Sequence, residues 1–524
     1  MVSIVASLAT IWHETMQPNS PKPSAAGAQE YRELLHLAAE IEAFLPDGDP
    51  CLQQWNASAE SLPGDVDLES LSGERALDEL AFALRFEWLK ATHQVSSRYL
   101  MSPPHEQLKL MPSGEKFQFD YERSSRPERL EQRGNKCLPA PHGWVGKCML
   151  FSSGMSAIST LVQVCCARLE GAMPDKPVQL DMFGGYFETW RLLDAVHDSV
   201  LKVEYVQSNA QLADRIVDGA VDILVIEPVA YDWDMTVFDL DGFAKAWQSA
   251  GIKRPRMVIV DTSLNANTFS LEDILPAFGA DLPWMVAFVR SGLKLDQQGL
   301  EFSNVGIVNL YIPEGGASPI HFERLKQRLS VNRAITGGGL TVNQTAALEI
   351  PCFLNAKSTS VHADRVFQNN RLLAQRIENG GGIFSRINHP CLAKGIEPKW
   401  AVSPFVVFHL AEDSTGHHGK LVAILVYEAR KRGLCFELAS SFGFRGHRFE
   451  VIRPLVQIRE MGAQTGLLKI AMGSRKGPSF EGIIELINEI AGFPDWQALT
   501  DTYPDVKAYV KGNFGVYIEK PPRP

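Results

Sequence analysis

The 524-residue sequence has no run of about 18 apolar residues, which is the length that a membrane-spanning helix needs. It also has no block of lysines or arginines, and its net charge of -10 is modest for the length, so a nucleic-acid or membrane-surface partner lacks electrostatic support. The apolar start, Met1 to Leu8, has no basic segment before it, and His13 and Glu14 follow soon afterwards. No secretory signal is therefore expected, and these absences favour a cytoplasmic location.

Cysteine is scattered: the eight cysteines form no C-x-x-C pair and no spacing with histidine that is typical of zinc ligands. This predicts reduced thiols and no metal site. The rest of the composition, 45% hydrophobic and 21% charged, is that of an ordinary globular protein. The length allows about two or three domains.

The N-terminal part, residues 1–114, is predicted to be a helical extension. Residues 17–28 are rich in proline, serine and alanine, which indicates a flexible segment. Beyond it, leucine and alanine recur at helix spacing over Tyr31 to Phe44 and again over Ala76 to Ala91.

Residues 115–355 are predicted to form a large α/β domain. Short runs that are apolar at every position suit strands buried on both faces, as in a parallel or mixed sheet covered by helices. These runs are Val221 to Ile226, Met257 to Val260, Trp284 to Val289 and Gly306 to Leu310. The active site is expected at the carboxyl ends of such strands, where Asp261 and the segment from Ser291 to Lys294 fall.

Residues 356–524 are predicted to form a smaller α+β domain followed by a tail at Lys520 to Pro524. Within it, Phe405 to His409 and Leu467 to Met472 are predicted strands, and Lys420 to Lys431 and Phe480 to Ala491 are predicted helices.

Three features of the large domain together suggest a pyridoxal 5'-phosphate (PLP) site. PLP needs an amine, a carboxylate that keeps its pyridine nitrogen protonated, a stacking side chain and a phosphate cup. Lys294 would supply the amine and Asp261 the carboxylate, and Gly154 and Met155 open a helix whose amides could bind an anion. Taken singly, Lys294 could be a solvated lysine, and Asp261 could be a helix cap or a magnesium ligand.

Six segments, in order, resemble the Cys/Met-metabolism family of PLP enzymes, which includes cystathionine γ-synthase, the cystathionine lyases and methionine γ-lyase. They are Tyr121 to Ser124, Ser152 to Ile158, Phe183 to Gly185, Asp261 to Thr262, Ser291 to Lys294, and Gly466 to Gly473. The resemblance, which covers roughly residues 115–492, implies fold type I, the aspartate-aminotransferase-like fold of PLP-dependent transferases.

The resemblance also implies roles for single residues. Lys294 would bind the cofactor covalently and Asp261 would pair with its ring nitrogen. The remaining cofactor contacts would come from Gly154, Met155 and Ser291 at the phosphate, from Phe183 at the ring face, and from Tyr121 and Arg123 of a neighbouring subunit. The last two imply a homodimer or homotetramer whose active site is shared across the interface.

Four positions depart from the family's pattern. Phe183 replaces the stacking tyrosine, so Tyr121 or Tyr186 would have to supply the catalytic phenol. Leu293 replaces a phosphate-binding threonine, and Tyr231 would hold the cofactor oxygen that an asparagine usually holds.

Lys469 replaces the arginine that clamps the substrate carboxylate, and lysine cannot form the two parallel bonds of a guanidinium. Substrate binding is therefore assigned to Lys469 together with Ser441 and Arg448, with Arg445 as an alternative to Arg448. A solvated turn is an equally open reading of the segment that carries Arg445, His447 and Arg448.

The family resemblance implies an enzyme that acts on an amino acid by γ- or β-elimination or replacement, through a quinonoid and a vinylglycine-type intermediate. Lys294 would move the α- and β-protons. The substrate would resemble an O-activated homoserine, cystathionine, methionine or S-adenosylmethionine. Two alternatives stay open: carbon-carbon bond formation or annulation in natural-product metabolism, and a catalytically silent partner protein of the same fold.

Overall fold

The structure is a computed structural model that describes residues 26–104, 109–170, 176–315, 322–393, 395, 398–452 and 466–508. The N-terminal residues up to 25, most of the segment predicted to be flexible, and the predicted tail at Lys520 to Pro524 lie outside these ranges.

The described N-terminal part is helical, as predicted. Its helices are α1 (Ala26–Phe44), α2 (Gln53–Asp65) and α3 (Leu71–Ser96), followed by a short hairpin of β1 (Lys109–Leu110) and β2 (Lys116–Phe117). The apolar side of α1 is buried, with Leu34 and Ile41 both inaccessible to solvent. Residues 26–28 belong to the first turn of α1, so the flexible segment predicted over residues 17–28 does not extend to its last three residues. The Glu69 carboxylate fixes this turn by accepting the amides of Gly27 (3.1 Å) and Ala28 (2.8 Å).

A seven-stranded sheet forms the centre of the described chain. Its strands are β3 (Trp144–Phe151), β4 (Val178–Phe183), β5 (Leu201–Val206), β6 (Ile223–Ile226), β7 (Met257–Asp261), β8 (Met285–Ser291) and β9 (Gly306–Pro313). Their order is β3-β9-β8-β7-β6-β4-β5. β9 pairs antiparallel with β3 and β8 while the other pairs are parallel, which confirms the predicted mixed sheet.

Helices cover both faces of this sheet. They are α4 (Glu128–Cys137), α5 (Gly154–Glu170), α6 (Phe187–Val196), α7 (Asn209–Val217), α8 (Leu240–Ser249), α9 (Leu271–Phe278) and α10 (Phe322–Ile335). A further helix, α11 (Val342–Ala347), packs against α3. Met257 and Ile259 face the layer of α5, α6 and α10, whereas Val258 and Val260 face the layer of α7, α8 and α9. Burial on both faces explains why these strands are apolar at every position.

A five-stranded sheet follows, with β10 (Phe384–Asn388), β11 (Val406–Leu410), β12 (Phe436–Leu438), β13 (His447–Ile452) and β14 (Leu467–Ala471). The order is β10-β11-β14-β13-β12, antiparallel except for β12 and β13. The accompanying helices, which contribute to one core on this sheet, are α12 (Ala356–Arg376), α13 (Thr415–Arg432), α14 (Pro478–Ala491) and α15 (Trp496–Thr502).

The two sheets meet through a separate apolar cluster. Val407 and Leu467 of the small sheet pack there with Val229 and Tyr231, which follow β6, and with Leu264, which follows β7. The carboxyl ends of the central strands therefore face the small sheet, and this junction positions the candidate site. The domain boundaries at residues 114/115 and 355/356 stay predictions.

Two searches of the described residues found nothing. None of their helices combines the length and the apolar character needed to cross a membrane. In the same residues, histidine, cysteine, aspartate and glutamate nowhere gather in a group of three or more that could hold a metal ion.

Candidate active site

Lys294 follows the carboxyl end of β8, immediately before a short 3-10 turn. Its Nζ lies 4.4 Å from the centroid of the Phe442 ring. Burial, and next to it the positive charge of Lys469, lower the pKa of Lys294 to about 8, against the attraction of Asp261. The Lys294 side chain is half-buried, and an amine with this pKa is partly neutral near pH 7 and can act as a base or nucleophile.

Asp261 is the last residue of β7, which runs parallel to β8, so acid and amine lie at the same edge of the sheet. Its carboxylate accepts the amide of Ser263 (2.8 Å), and the Ser263 hydroxyl in turn accepts the amide of Ser291 (2.9 Å). Ser263, which sequence reasoning missed, therefore ties the ends of the two strands together. Burial raises the pKa of Asp261, and the Ser263 hydrogen bonds and Lys294 oppose this rise.

The first turn of α5 carries Gly154 and Met155, the residues predicted to bind an anion. The Ser153 hydroxyl accepts the amide of Ser156 (3.1 Å), while the amides of Gly154 and Met155 have no acceptor within the helix. A Cβ on Gly154 would lie at an ordinary contact distance of 3.5 Å from Ser291, so crowding by the protein does not demand glycine there. The first turn of α5 thus lies against the end of β8 at Ser291.

Phe183 is the last residue of β4. Its side chain is 1% exposed and packs against Phe238 (ring centroids 5.9 Å) in the apolar layer of α7, α8 and α9. Its predicted contact with a cofactor ring stays a prediction. Tyr186, three residues later, lies near Asp261. Burial raises the pKa of the Tyr186 phenol, and the negative charges of Glu188 and Asp261 add to the rise.

Glu227, at the end of β6, is a buried site residue that sequence reasoning passed over. Its carboxylate accepts three backbone amides, those of Gly185 (3.0 Å), Tyr186 (3.1 Å) and Tyr231 (2.8 Å). Burial and the neighbouring charge of Asp261 raise the pKa of Glu227 to about 7, although the three amides oppose the rise. The position of Glu227 after a buried strand, beside the strand of Asp261, was the signal in the sequence.

Tyr231 is buried beside the same carboxylate. Its ring stands edge-on to Tyr186 (5.7 Å) and to Phe405 of the small sheet (5.4 Å). Gly185 must be glycine here, because a Cβ would come within 2.4 Å of the Tyr231 carbonyl oxygen. Tyr231 thus belongs to the wall between the sheets, and its predicted contact with a cofactor oxygen stays a prediction.

Tyr121 and Arg123 lie on the surface of the single chain. Tyr121 is 50% exposed, and the Arg123 guanidinium stands 5.1 Å from the centroid of its ring. The Glu122 carboxylate accepts the amide of Val342 (3.0 Å), which holds their turn beside α11. Among the described residues, no contact joins either side chain to Lys294 or Asp261 of the same chain.

Lys469 and Glu450 form a buried pair on the small-sheet side. They are directly opposite each other in the β13/β14 register, and the Lys469 ammonium contacts the Glu450 carboxylate. The Ser441 amide donates to the same carboxylate (3.1 Å). Lys469 therefore already has an anion within the chain, and its predicted role as a substrate clamp stays a prediction.

The arginines after Ser441 also have partners. Arg445 is buried and lies 3.6 Å from the Glu30 carboxylate of α1, and it donates to Gln298 (3.3 Å). Arg448 stacks on the Phe444 ring, with its guanidinium carbon 3.4 Å from the centroid, and lies 3.8 Å from Glu301.

His447 accepts the Gly473 amide (3.1 Å), and burial lowers the pKa of its imidazole to about 3. Arg445 and His447 are therefore packing residues in this chain. Leu293, where the resembled family has a threonine, is half-buried and brings no hydroxyl.

Of the comparisons with known proteins, the one with solved structures identifies the fold. No family model matches the chain, and no curated protein matches it in sequence. Among solved structures, apo CalE6, a methionine gamma lyase from Micromonospora echinospora, has a TM-score of 0.50 at 16% identity and covers 77% of this chain and 98% of its own. Cystathionine gamma-lyase from yeast has a TM-score of 0.52 at 14% identity and covers 77% of this chain and 97% of its own.

MetB from Corynebacterium glutamicum has a TM-score of 0.51 at 15% identity, with 77% of this chain and 98% of the other covered. Likenesses at such identities show a shared fold. The fold type I predicted from the sequence motifs is thereby confirmed.

Proposed function

We propose that this chain is a PLP-dependent enzyme that eliminates or replaces a group on the side chain of an amino-acid-type substrate. The observation that carries this proposal is the half-buried Lys294 amine, whose pKa is lowered to about 8, at the same sheet edge as the Asp261 carboxylate. The names of the neighbours in fold, a methionine gamma lyase and a cystathionine gamma-lyase, support the reaction class.

The residues present fit PLP. Asp261 is a buried carboxylate whose burial raises its pKa, and a cationic ring nitrogen would offset that penalty. The start of α5, beside Ser291, suits a phosphate group, because the amides of Gly154 and Met155 have no acceptor within the helix. Lys294 would hold the aldehyde carbon, Asp261 the ring nitrogen, and Gly154, Met155 and Ser291 the phosphate.

Tyr186 takes the place of Phe183 at the ring face in this proposal. Glu227 fixes the Tyr186 amide, and this places the phenol near Asp261 and opposite Tyr231. Tyr121 and Arg123 are exposed and suited to reach the phosphate of a second copy, so the proposal includes a homodimer or larger oligomer.

When bound, PLP supplies the electron withdrawal that makes the α-proton of an attached amine acidic. The Lys294 amine would be the base that takes this proton, since its lowered pKa leaves part of the amine neutral near pH 7. Asp261 would hold the ring nitrogen in its charged form. The buried Phe442 ring shields one side of the amine from water, since its centroid lies 4.4 Å from the Lys294 Nζ.

The proposal is tested by adding PLP to the purified protein and following visible absorbance while candidate amino acids and their amides are supplied, with products identified by mass. Ammonia and a 2-oxo acid would indicate elimination, whereas a modified amino acid would indicate replacement. A protein that stays colourless with PLP, or that leaves every candidate unchanged, would contradict the proposal.

A further inference from the structure

The Lys469–Glu450 pair is a built feature of the small sheet. Lys469 is 2% exposed, and its partner lies directly opposite on the next strand. Ser441 has a φ of 78°, which is unusual for a residue with a side chain, and its amide donates to the Glu450 carboxylate. The chain thus supplies both the buried cation and its anion.

This pair lies within the candidate site. Lys469 Nζ is 5.8 Å from the centroid of the Phe442 ring, the same ring that Lys294 Nζ approaches to 4.4 Å. The charge of Lys469 also contributes, after burial, to the lowered pKa of Lys294. A substrate attached at the Lys294 position therefore meets the pair across one aromatic ring.

The neighbouring cations of the described chain offer no free charge to a carboxylate. Arg448 is stacked on Phe444 and lies near Glu301, and Arg445 lies against Glu30. A substrate carboxylate would have to displace Glu450 from Lys469, or lie beside the Glu450 carboxylate without a positive charge of its own. A buried anion without a partner is costly, so either route weakens binding.

We infer that Glu450 occupies the place of a substrate carboxylate on Lys469, so that the site selects amino compounds whose carboxyl group is masked as an amide or ester. The inference rests on the proposed function, because it assumes that the substrate amine reacts at the cofactor held by Lys294. Glu450 is a specificity-determining residue, and the substrate group that faces the Lys469–Glu450 pair is an electrically neutral amide or ester.

The test compares matched ligands on the PLP-loaded protein. L-Alanine is paired with L-alaninamide and L-methionine with L-methioninamide, and apparent Kd is read from the change in cofactor absorbance. The amide amines are intrinsically less basic, so the decisive quantity is how Glu450→Gln changes each Kd. Glu437→Gln is the control, because Glu437 is an exposed carboxylate in β12 of the same sheet.

We expect Glu450→Gln to tighten binding of both free acids about tenfold, the effect of one hydrogen bond to a charged group. The Kd of each amide should change less than about twofold in Glu450→Gln, because an amide gains no hydrogen bond between charged groups. Every Kd should also change less than about twofold in Glu437→Gln, because this substitution leaves the Lys469–Glu450 pair intact. In the wild-type protein the amides should bind more tightly than the acids. If the wild-type protein binds the acids more tightly, or Glu450→Gln leaves acid binding unchanged or weaker, the inference is overturned.

Borohydride reduction and peptide mapping of the same samples report the cofactor separately. PLP fixed on Lys294 together with a preference for free acids would overturn this inference alone. Absence of PLP from Lys294 would overturn the proposed function and this inference with it.

Discussion

The two halves of the candidate site are built differently. On the large sheet, Lys294 and Asp261 stand at strand ends, and the bonds that fix them come from nearby residues, such as the Ser263 amide. On the small sheet, Lys469 depends on Glu450 of the adjacent strand, and Arg445 on Glu30 of the N-terminal helix α1. The difference indicates that the large-sheet half, proposed to hold the cofactor, follows motifs at strand ends, whereas the small-sheet half, proposed to face the substrate, is set by strand register and by contacts with the N-terminal helices.

The N-terminal helices take part in the contacts on the small-sheet side of the candidate site. Arg475 donates to the Glu30 carboxylate (2.9 Å from its Nη2) and to Asp78 (2.7 Å), and Arg445 lies beside the same carboxylate. Burial alone would raise the pKa of Glu30, but the guanidiniums of Arg475 and Arg445 hold it at about 2. The helices thereby fix the segment that carries Phe442 and Arg445.

The largest predicted effect comes from removing the Glu30 carboxylate from its ion pairs with Arg475 and Arg445. Glu30→Gln should lower the free energy of unfolding by about 3 kcal/mol at pH 7, because it leaves buried guanidinium charge without its anion. Cofactor affinity should change little. The control is Glu33→Gln on the same helix, whose half-buried pair with Arg365 should contribute less than about 1 kcal/mol. Equal losses in the two variants, measured by denaturant unfolding, would contradict the account.

The ion pairs of Glu30 with Arg475 and Arg445 also predict how stability depends on pH. Glu30 titrates near 2 in the folded protein and near 4.5 when unfolded, so the unfolded chain binds more protons between these values. Its contribution to stability is therefore complete above pH 4.5 and is lost as the pH falls towards 2. The stability gap between the wild-type protein and Glu30→Gln should close over this window.

A smaller effect is expected on the cofactor half. Asp261→Ala should weaken PLP retention about 10- to 100-fold, because the ring nitrogen loses one charge-assisted hydrogen bond. Asp241→Ala, at an exposed position in α8, is the matched control. Equilibrium dialysis of PLP measures both variants. Retention of full affinity by Asp261→Ala would remove the carboxylate from the site.

The smallest effect separates Tyr186 from Phe183. Tyr186→Leu should weaken PLP binding up to about tenfold, through loss of aromatic contact with the ring. Phe183→Leu should cost about 1 kcal/mol of stability and leave PLP affinity unchanged, since Phe183 packs against Phe238. The opposite pattern would restore the sequence-based assignment of ring stacking to Phe183.

Much of the cofactor half was predictable from the sequence. Runs that are apolar at every position mark buried strands, and polar residues directly after them, such as Asp261 and Lys294, must lie at one edge of a parallel sheet. The Gly154 segment opens a helix for equally local reasons. The mixed sheet and the helical N-terminal part followed from such patterns, and fold type I followed from the family resemblance of the six segments.

The substrate half was not predictable in the same way. Whether Lys469 is free depends on the register that places Glu450 opposite it, and Arg475 finds Glu30 across 445 residues. Phe183 and Tyr186 are three residues apart, and only the path of the chain after β4 decides which ring enters the core. Tertiary pairing of this kind leaves no periodic signal in one sequence.

The most direct test of the central claim is the site of covalent attachment of PLP. The loaded protein is reduced with borohydride, digested, and mapped by mass, alongside Lys294→Ala and the matched variant Lys469→Ala. The account predicts PLP fixed on the peptide that contains Lys294 in the wild-type protein and Lys469→Ala, and no fixed PLP in Lys294→Ala. PLP on any other lysine, or an unaltered map in Lys294→Ala, would contradict it.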